Sequence, residues 1–132
     1  METLVRPATC QHTTLRVPTV CPTEFYDITT HLDAFVADAG IRTGLINVQS
    51  LHTTTAIVVN ENEPLLHADF ASLLDRTAPA DAAYRHDDTT VRTVNLTADE
   101  RINGHAHCRA LVLPSSACLN IVDGRLRLGR WQ

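Results

Sequence analysis

The apolar residues of this chain switch between a helical period and a strand period. The order of those switches limits the fold more than any single motif does. Ile28, Leu32, Phe35, Val36 and Ala39 follow helical spacing, with Thr30 and Asp33 marking a start and Gly40 a stop. Gly44 to Leu51 alternates, so Ile46, Val48, Ser50 and His52 share one face if the strand persists. Thr54 to Val59 is richer still in β-branched residues, giving either one long strand or two broken at His52-Thr53. After Pro64, helical spacing returns at Leu66, Phe70, Leu73, Leu74 and Thr77, with Asn62 as the expected cap. Residues 78–100 are polar and irregular and predict a long loop. Asn103 to Leu113 predicts a third helix with Ala106, Ala110, Leu111 and Leu113 inward, stopped at Pro114. Ala117 to Val122 and Leu126 to Leu128 flank Asp123-Gly124, a strong hairpin dipeptide. Residues 10–20, bounded by Pro18 and Pro22, read as an edge strand. Together these predict an α+β fold with a mainly antiparallel sheet, in a single domain over residues 1–132.

Composition excludes several chemistries. All eleven basic residues are arginine, so Schiff-base catalysis through lysine and a Walker-type phosphate loop are ruled out. An anion clamp must come from arginine, helix N-termini or a metal. The net charge of −4 carries no basic block, which argues against a nucleic-acid partner. No apolar run approaches the ~20 residues that span a bilayer, so no membrane partner is expected. Met1-Glu2-Thr3-Leu4 does not open a signal peptide, and a cytoplasmic location is the expectation. Cys10, Cys21, Cys108 and Cys118 lack CxxC spacing, and Cys108 and Cys118, set among apolar residues, are expected to be buried.

Seven histidines are present, and three lie in polar stretches that border apolar runs. His52 opens His52-Thr53-Thr54-Thr55, His86 lies in Tyr84-Arg85-His86-Asp87-Asp88, and His107 closes Asn103-Gly104-His105-Ala106-His107. Each has an ordinary reading as a satisfied structural histidine. Their convergence on element ends is what suits a metal or phosphate site. Three neutral imidazoles with an open position suit a divalent ion, zinc first. In a helix His105 and His107 diverge, so His107 is taken for the site, with Asn103 on its face. The cluster Asn60-Glu61-Asn62-Glu63 reads either as capping or as a substrate-facing group. In the second reading Glu61 is a base or ligand and Asn60 and Asn62 orient a substrate, with Glu61 and Glu63 left as alternatives. Thr53 and Thr54 are expected to contact an oxyanion. Asp87 and Asp88 are either loop surface or partners that orient His86.

Those stretches, with Gly44-Leu45-Ile46-Asn47-Val48, Gly124-Arg125 and Leu128-Gly129-Arg130-Trp131-Gln132, resemble the YjbQ-type family from about residue 10 to the end. The resemblance implies a compact α+β fold assembled as a homotrimer, with sites near subunit boundaries. It also implies that His52, His86 and His107 are the family's recurring histidines. Relative to that pattern the chain stops one strand early, at Gln132, and the expectation is an uncovered sheet edge that favours association. The activity implied is a secondary thiamine-phosphate synthase. It joins a pyrimidine diphosphate to a thiazole phosphate and releases pyrophosphate, as a side activity. A metal-dependent hydrolase of a small phosphorylated metabolite and a non-enzymatic trimeric metal- or small-molecule-binding module are the alternatives.

Overall fold

A computed structural model describes residues 10–132 of the chain. The reading of Met1–Leu4 lies outside the described residues. The element order is α1 (Thr29–Ala39), β1 (Thr43–Gln49), α2 (Pro64–Thr77), a 3-10 turn (Arg85–Asp87), α3 (Gly104–Leu111), β2 (Ser116–Val122) and β3 (Arg125–Leu126). The strands form one sheet in the order β1-β2-β3. β2 and β3 pair antiparallel, with Ile121 opposite Leu126 and Val122 opposite Arg125. Bonds from Ser50 N to Ser115 O and from Gly124 N to Arg42 O fix β1 antiparallel to β2 as well. The fold is therefore α+β with an antiparallel sheet, as the periodicities require.

Contacts gather the chain into two units, Met1–Ile46 with Leu119–Arg127 and Asn47–Cys118 with Leu128–Gln132. In the first, α1 lies against β3, and Val36, Ile46 and Ile121 are its buried apolar side chains. Burying each stabilises the fold by about 1.5–3 kcal/mol. α1 ends where Gly40 takes the left-handed conformation and bonds back to Ala37 O. The hairpin turns on Asp123 (φ 52°) and Gly124 (φ 79°), the two consecutive positive φ angles of a type I′ turn.

In the second unit, α2 starts at Pro64, but its cap is Glu63 rather than Asn62. The Glu63 carboxylate accepts from Leu65 N at 2.9 Å and Leu66 N at 2.7 Å. Those two amide bonds hold its carboxyl below the usual range. Its longer side chain reaches both orphan amides of the first turn, which explains why Asn62 is displaced.

Five expectations need correction. Residues 10–20 form no strand, because Pro18 and Pro22 remove donors and the backbone joins no ladder among the described residues. Residues 54–59 form no strand, although Ile57 N bonds to Pro114 O at 2.9 Å. The long run breaks at His52, where Thr55 N bonds to His52 O at 3.3 Å. Cys118 is exposed because it shares strand parity with Ser116 and Asn120, on the outward face of β2. Cys108 is exposed too, and Leu111 is 84% exposed: they share with Val112 an outward helix face at i, i+3 and i+4. The side chain that α3 buries in their place is Arg109.

Candidate functional site

His86, His107 and His52 all belong to the second unit. The loop 78–103 is shaped by its own polar bonds. Tyr84 donates its hydroxyl to Pro79 O at 2.7 Å, which pins the start of the 3-10 turn. Burial then raises the Tyr84 phenol above its ordinary value. Asp87 accepts from Asn103 N at 3.1 Å and Gly104 N at 2.9 Å. It thereby caps α3 from outside the helix, replacing the missing side-chain cap at Asn103. A Cβ on Gly104 would lie 2.5 Å from Tyr84 Cβ and 2.9 Å from Asp87 Oδ2, so this close approach needs glycine. Asp88 is used locally and bonds Thr90 N and its hydroxyl. Neither aspartate orients His86, which corrects that expectation.

The Asp87 clamp brings His86 beside the helix face that carries His107. Their ring centroids are 4.5 Å apart with a 60° tilt. His105, two residues back, turns instead toward Tyr84, with centroids 6.4 Å apart. The divergence follows from the ~200° that two helical residues span. His86 Nε2 is buried and lacks a hydrogen-bond partner among the described residues, as do Asn103 Oδ1 and His105 Nδ1. Such orphaned atoms are uncommon in folded proteins and mark places where a bound group or water completes the bonding.

Two residues that sequence reasoning missed complete this cluster. Glu100 Oε1 lies 3.7 Å from His86 Nε2 and 2.6 Å from Arg92 Nη1. The Arg92 bond holds the Glu100 carboxyl below the usual range, despite burial. Arg92 also donates to His86 O, Val94 O and Asn95 O. Its guanidinium is thus a brace for the loop, not a free anion clamp. His86, Arg92 and Glu100 line a hollow of about 40 Å³ together with Asp87, Thr89, Leu96, Arg101 and Ile102. That volume admits a water or two and no larger molecule. The sequence signal for Arg92 and Glu100 was no more than their place in a long polar loop.

His52 is exposed and sits in the turn that ends β1. Its Nδ1 is bonded by Thr54 N at 3.2 Å and Thr54 Oγ1 at 2.9 Å. The Thr55 hydroxyl bonds Ser50 and His52 O, which ties the turn together. Both Thr54 groups expected to face an oxyanion are therefore spent on His52. Thr53 is exposed beside them. Asn60 Oδ1 accepts from Glu61 N at 2.9 Å, and the Glu61 side chain is exposed. Among the described residues, neither Asn60 nor Glu61 has a hydrogen bond or ion pair to the three histidines. Asn62 is exposed on the same stretch. With Glu63 committed to capping, Glu61 is the glutamate of this stretch whose side chain stays exposed and uncommitted to the helix end.

Among the described residues, no three histidine, cysteine or acidic side chains stand close enough to hold one metal ion. Of the expected donor set, His86 and His107 meet with ring centroids 4.5 Å apart, while the Nδ1 of His52 is engaged by Thr54. Burial, then the positive charges of His86, Arg92 and His52, push His107 below its ordinary 6.5.

This shift has a consequence for stability. The folded value lies below the unfolded one, so between them the unfolded chain binds a proton that the folded chain does not. Stability is full above the ordinary value and falls as pH drops through the depressed one. Thermal melts between about pH 8 and pH 5 should show a declining Tm, with a shallower decline in His107→Gln. Identical profiles would remove His107 as the cause. Among the described residues, no helix is long and apolar enough to cross a membrane.

Known proteins share the sequence pattern and the fold. Residues 13–132 match the family described as UPF0047 protein YjbQ-like. A UPF0047 protein of Methanothermobacter thermautotrophicus is 38% identical over 109 residues, covering 83% of this chain and 68% of that one. Another, from Archaeoglobus fulgidus, is 33% identical over 118 residues, covering 89% and 82%. The crystal structure of a YjbQ/UPF0047 family protein from Clostridium acetobutylicum superposes with a TM-score of 0.74 at 31% identity, covering 88% of this chain and 81% of that one. A YbjQ-like protein of unknown function from Sulfolobus solfataricus gives 0.75 at 28% identity, covering 88% and 76%. The chain belongs to the YjbQ-like UPF0047 family.

Proposed function

We propose that this chain is a transferase with the thiamine-phosphate synthase side activity its sequence resembles. The thiazole nitrogen attacks the pyrimidine methylene carbon, a C–N bond forms, the C–O bond to the diphosphate breaks, and pyrophosphate leaves with the electron pair. Such a step needs the two rings held in contact and the leaving charge met by hydrogen-bond donors. The observation that carries the reading is the paired imidazoles of His86 and His107, clamped 4.5 Å apart with an unpartnered Nε2 on His86. Asn103, whose Oδ1 also lacks a partner, supplies a polar contact beside them. Thr53, Asn60, Glu61 and Asn62 are all exposed, and in this reading they contact the small phosphorylated substrate.

Purified protein given the pyrimidine diphosphate and the thiazole phosphate should make thiamine phosphate. His86→Ala and His107→Ala should each lower the rate roughly tenfold or more while remaining folded. Undiminished rates in both folded variants would end this assignment.

The proposal includes assembly as a homotrimer. Leu51, Leu65, Ile102 and Leu111 are each at least 73% exposed, an arrangement that favours cover by a partner copy. Native mass spectrometry should find three chains, and a monomer at working concentration would refute the assembly.

A further inference from the structure

We infer that Thr54 fixes His52 as an Nε2–H hydrogen-bond donor for a phosphate oxygen, and that His52 is not a metal ligand. The inference rests on the proposed phosphorylated substrate for its ligand class. It rests on geometry for its chemistry.

A backbone amide donates and cannot accept. Thr54 N–H points at His52 Nδ1 from 3.2 Å, so Nδ1 must offer its lone pair. With Nδ1 accepting, the Thr54 hydroxyl 2.9 Å from the same atom can share that lone pair as a donor. A neutral imidazole carries one ring proton, and with Nδ1 accepting it resides on Nε2. Binding a metal through Nε2 would require moving that proton to Nδ1, where it would confront the amide hydrogen. Binding through Nδ1 would break the turn. The turn resists both, because Thr55 bonds back to His52 O through its amide at 3.3 Å and its hydroxyl at 3.2 Å. His52 Nδ1 is thus occupied, while the exposed ring leaves Nε2–H free to meet an anionic oxygen. Thr54 is the positioning residue and His52 the contact.

Nitrogen NMR on the full ¹⁵N-labelled chain at about pH 8, above the ordinary imidazole range, reads the tautomer directly, with His52→Gln identifying the signals. His52 should show the Nε2–H pattern and keep it in Thr54→Val, which retains the amide. Inorganic pyrophosphate should shift the His52 Nε2–H resonance, and zinc chloride should leave the tautomer unchanged. An Nδ1–H pattern, a zinc-induced switch at His52, or no response to pyrophosphate overturns the inference. Its fate separates from that of the transferase reading. An Nε2–H donor that answers pyrophosphate in a protein making no thiamine phosphate sinks the transferase alone. Product formation by a protein with an Nδ1–H His52 sinks the inference alone.

Discussion

Arg109→Ala is expected to destabilise the protein by about 3 kcal/mol, a drop in Tm of about 10 °C for a chain of this length. The guanidinium donates through Nε to Ala78 O at 2.9 Å and through Nη2 to Asp75 Oδ1 at 2.8 Å. These two partners differ in worth. Asp75 keeps 66% of its side chain in water, so losing its cation costs little. Ala78 is 3% exposed, and its carbonyl, just past the end of α2, would be left buried without a donor. The lost packing of the arginine stem adds a cavity term. Arg109→Met should recover the packing and not the bond, giving about half the loss. A lysine cannot reproduce the fork and should fall between. Chemical denaturation of the three variants checks the order. If alanine and wild type unfold together, Arg109 does not hold the end of α2 to α3.

Asp87→Ala is expected to cost about 2 kcal/mol and to lower activity as well. Both amides it accepts, Asn103 N and Gly104 N, would lose their partner at the positive end of α3. The same bonds carry the loop bearing His86 to the helix bearing His107. Removing them should loosen the imidazole pair and depress turnover beyond what the stability loss explains. Asp87→Asn keeps an acceptor oxygen and should restore most of the stability and the activity. Denaturation midpoints beside initial rates distinguish the outcomes. A stable, slow alanine variant would place Asp87 in the chemistry and not in the clamp.

Several residues of the candidate site stand out in the sequence, though not the contacts between them. The spacing of His105 and His107 on a helix correctly sent them to different neighbours. The pairing of His86 with His107 followed from neither segment alone, since nothing local says which element a loop meets. Asn62 was the expected cap, and Glu63 took the role because its side chain reaches two amides at once. Arg92 and Glu100 had no motif to announce them. Their roles come from a loop folding back on itself over eight residues.

The sequence by itself determined the order of the three helices, β1 and the final hairpin, the Gly40 stop, the Asp123-Gly124 turn and the parity of β1. Each is a local matter of backbone sterics and of apolar side chains recurring at the period of their own element. Tertiary structure alone decided that α3 buries Arg109 and exposes Leu111, that Asp87 caps a helix sixteen residues away, and that Thr54 serves His52. The reason is that a hydrogen-bond donor accepts any acceptor the fold delivers. Which one arrives depends on packing between segments distant in the chain, and no periodicity encodes it.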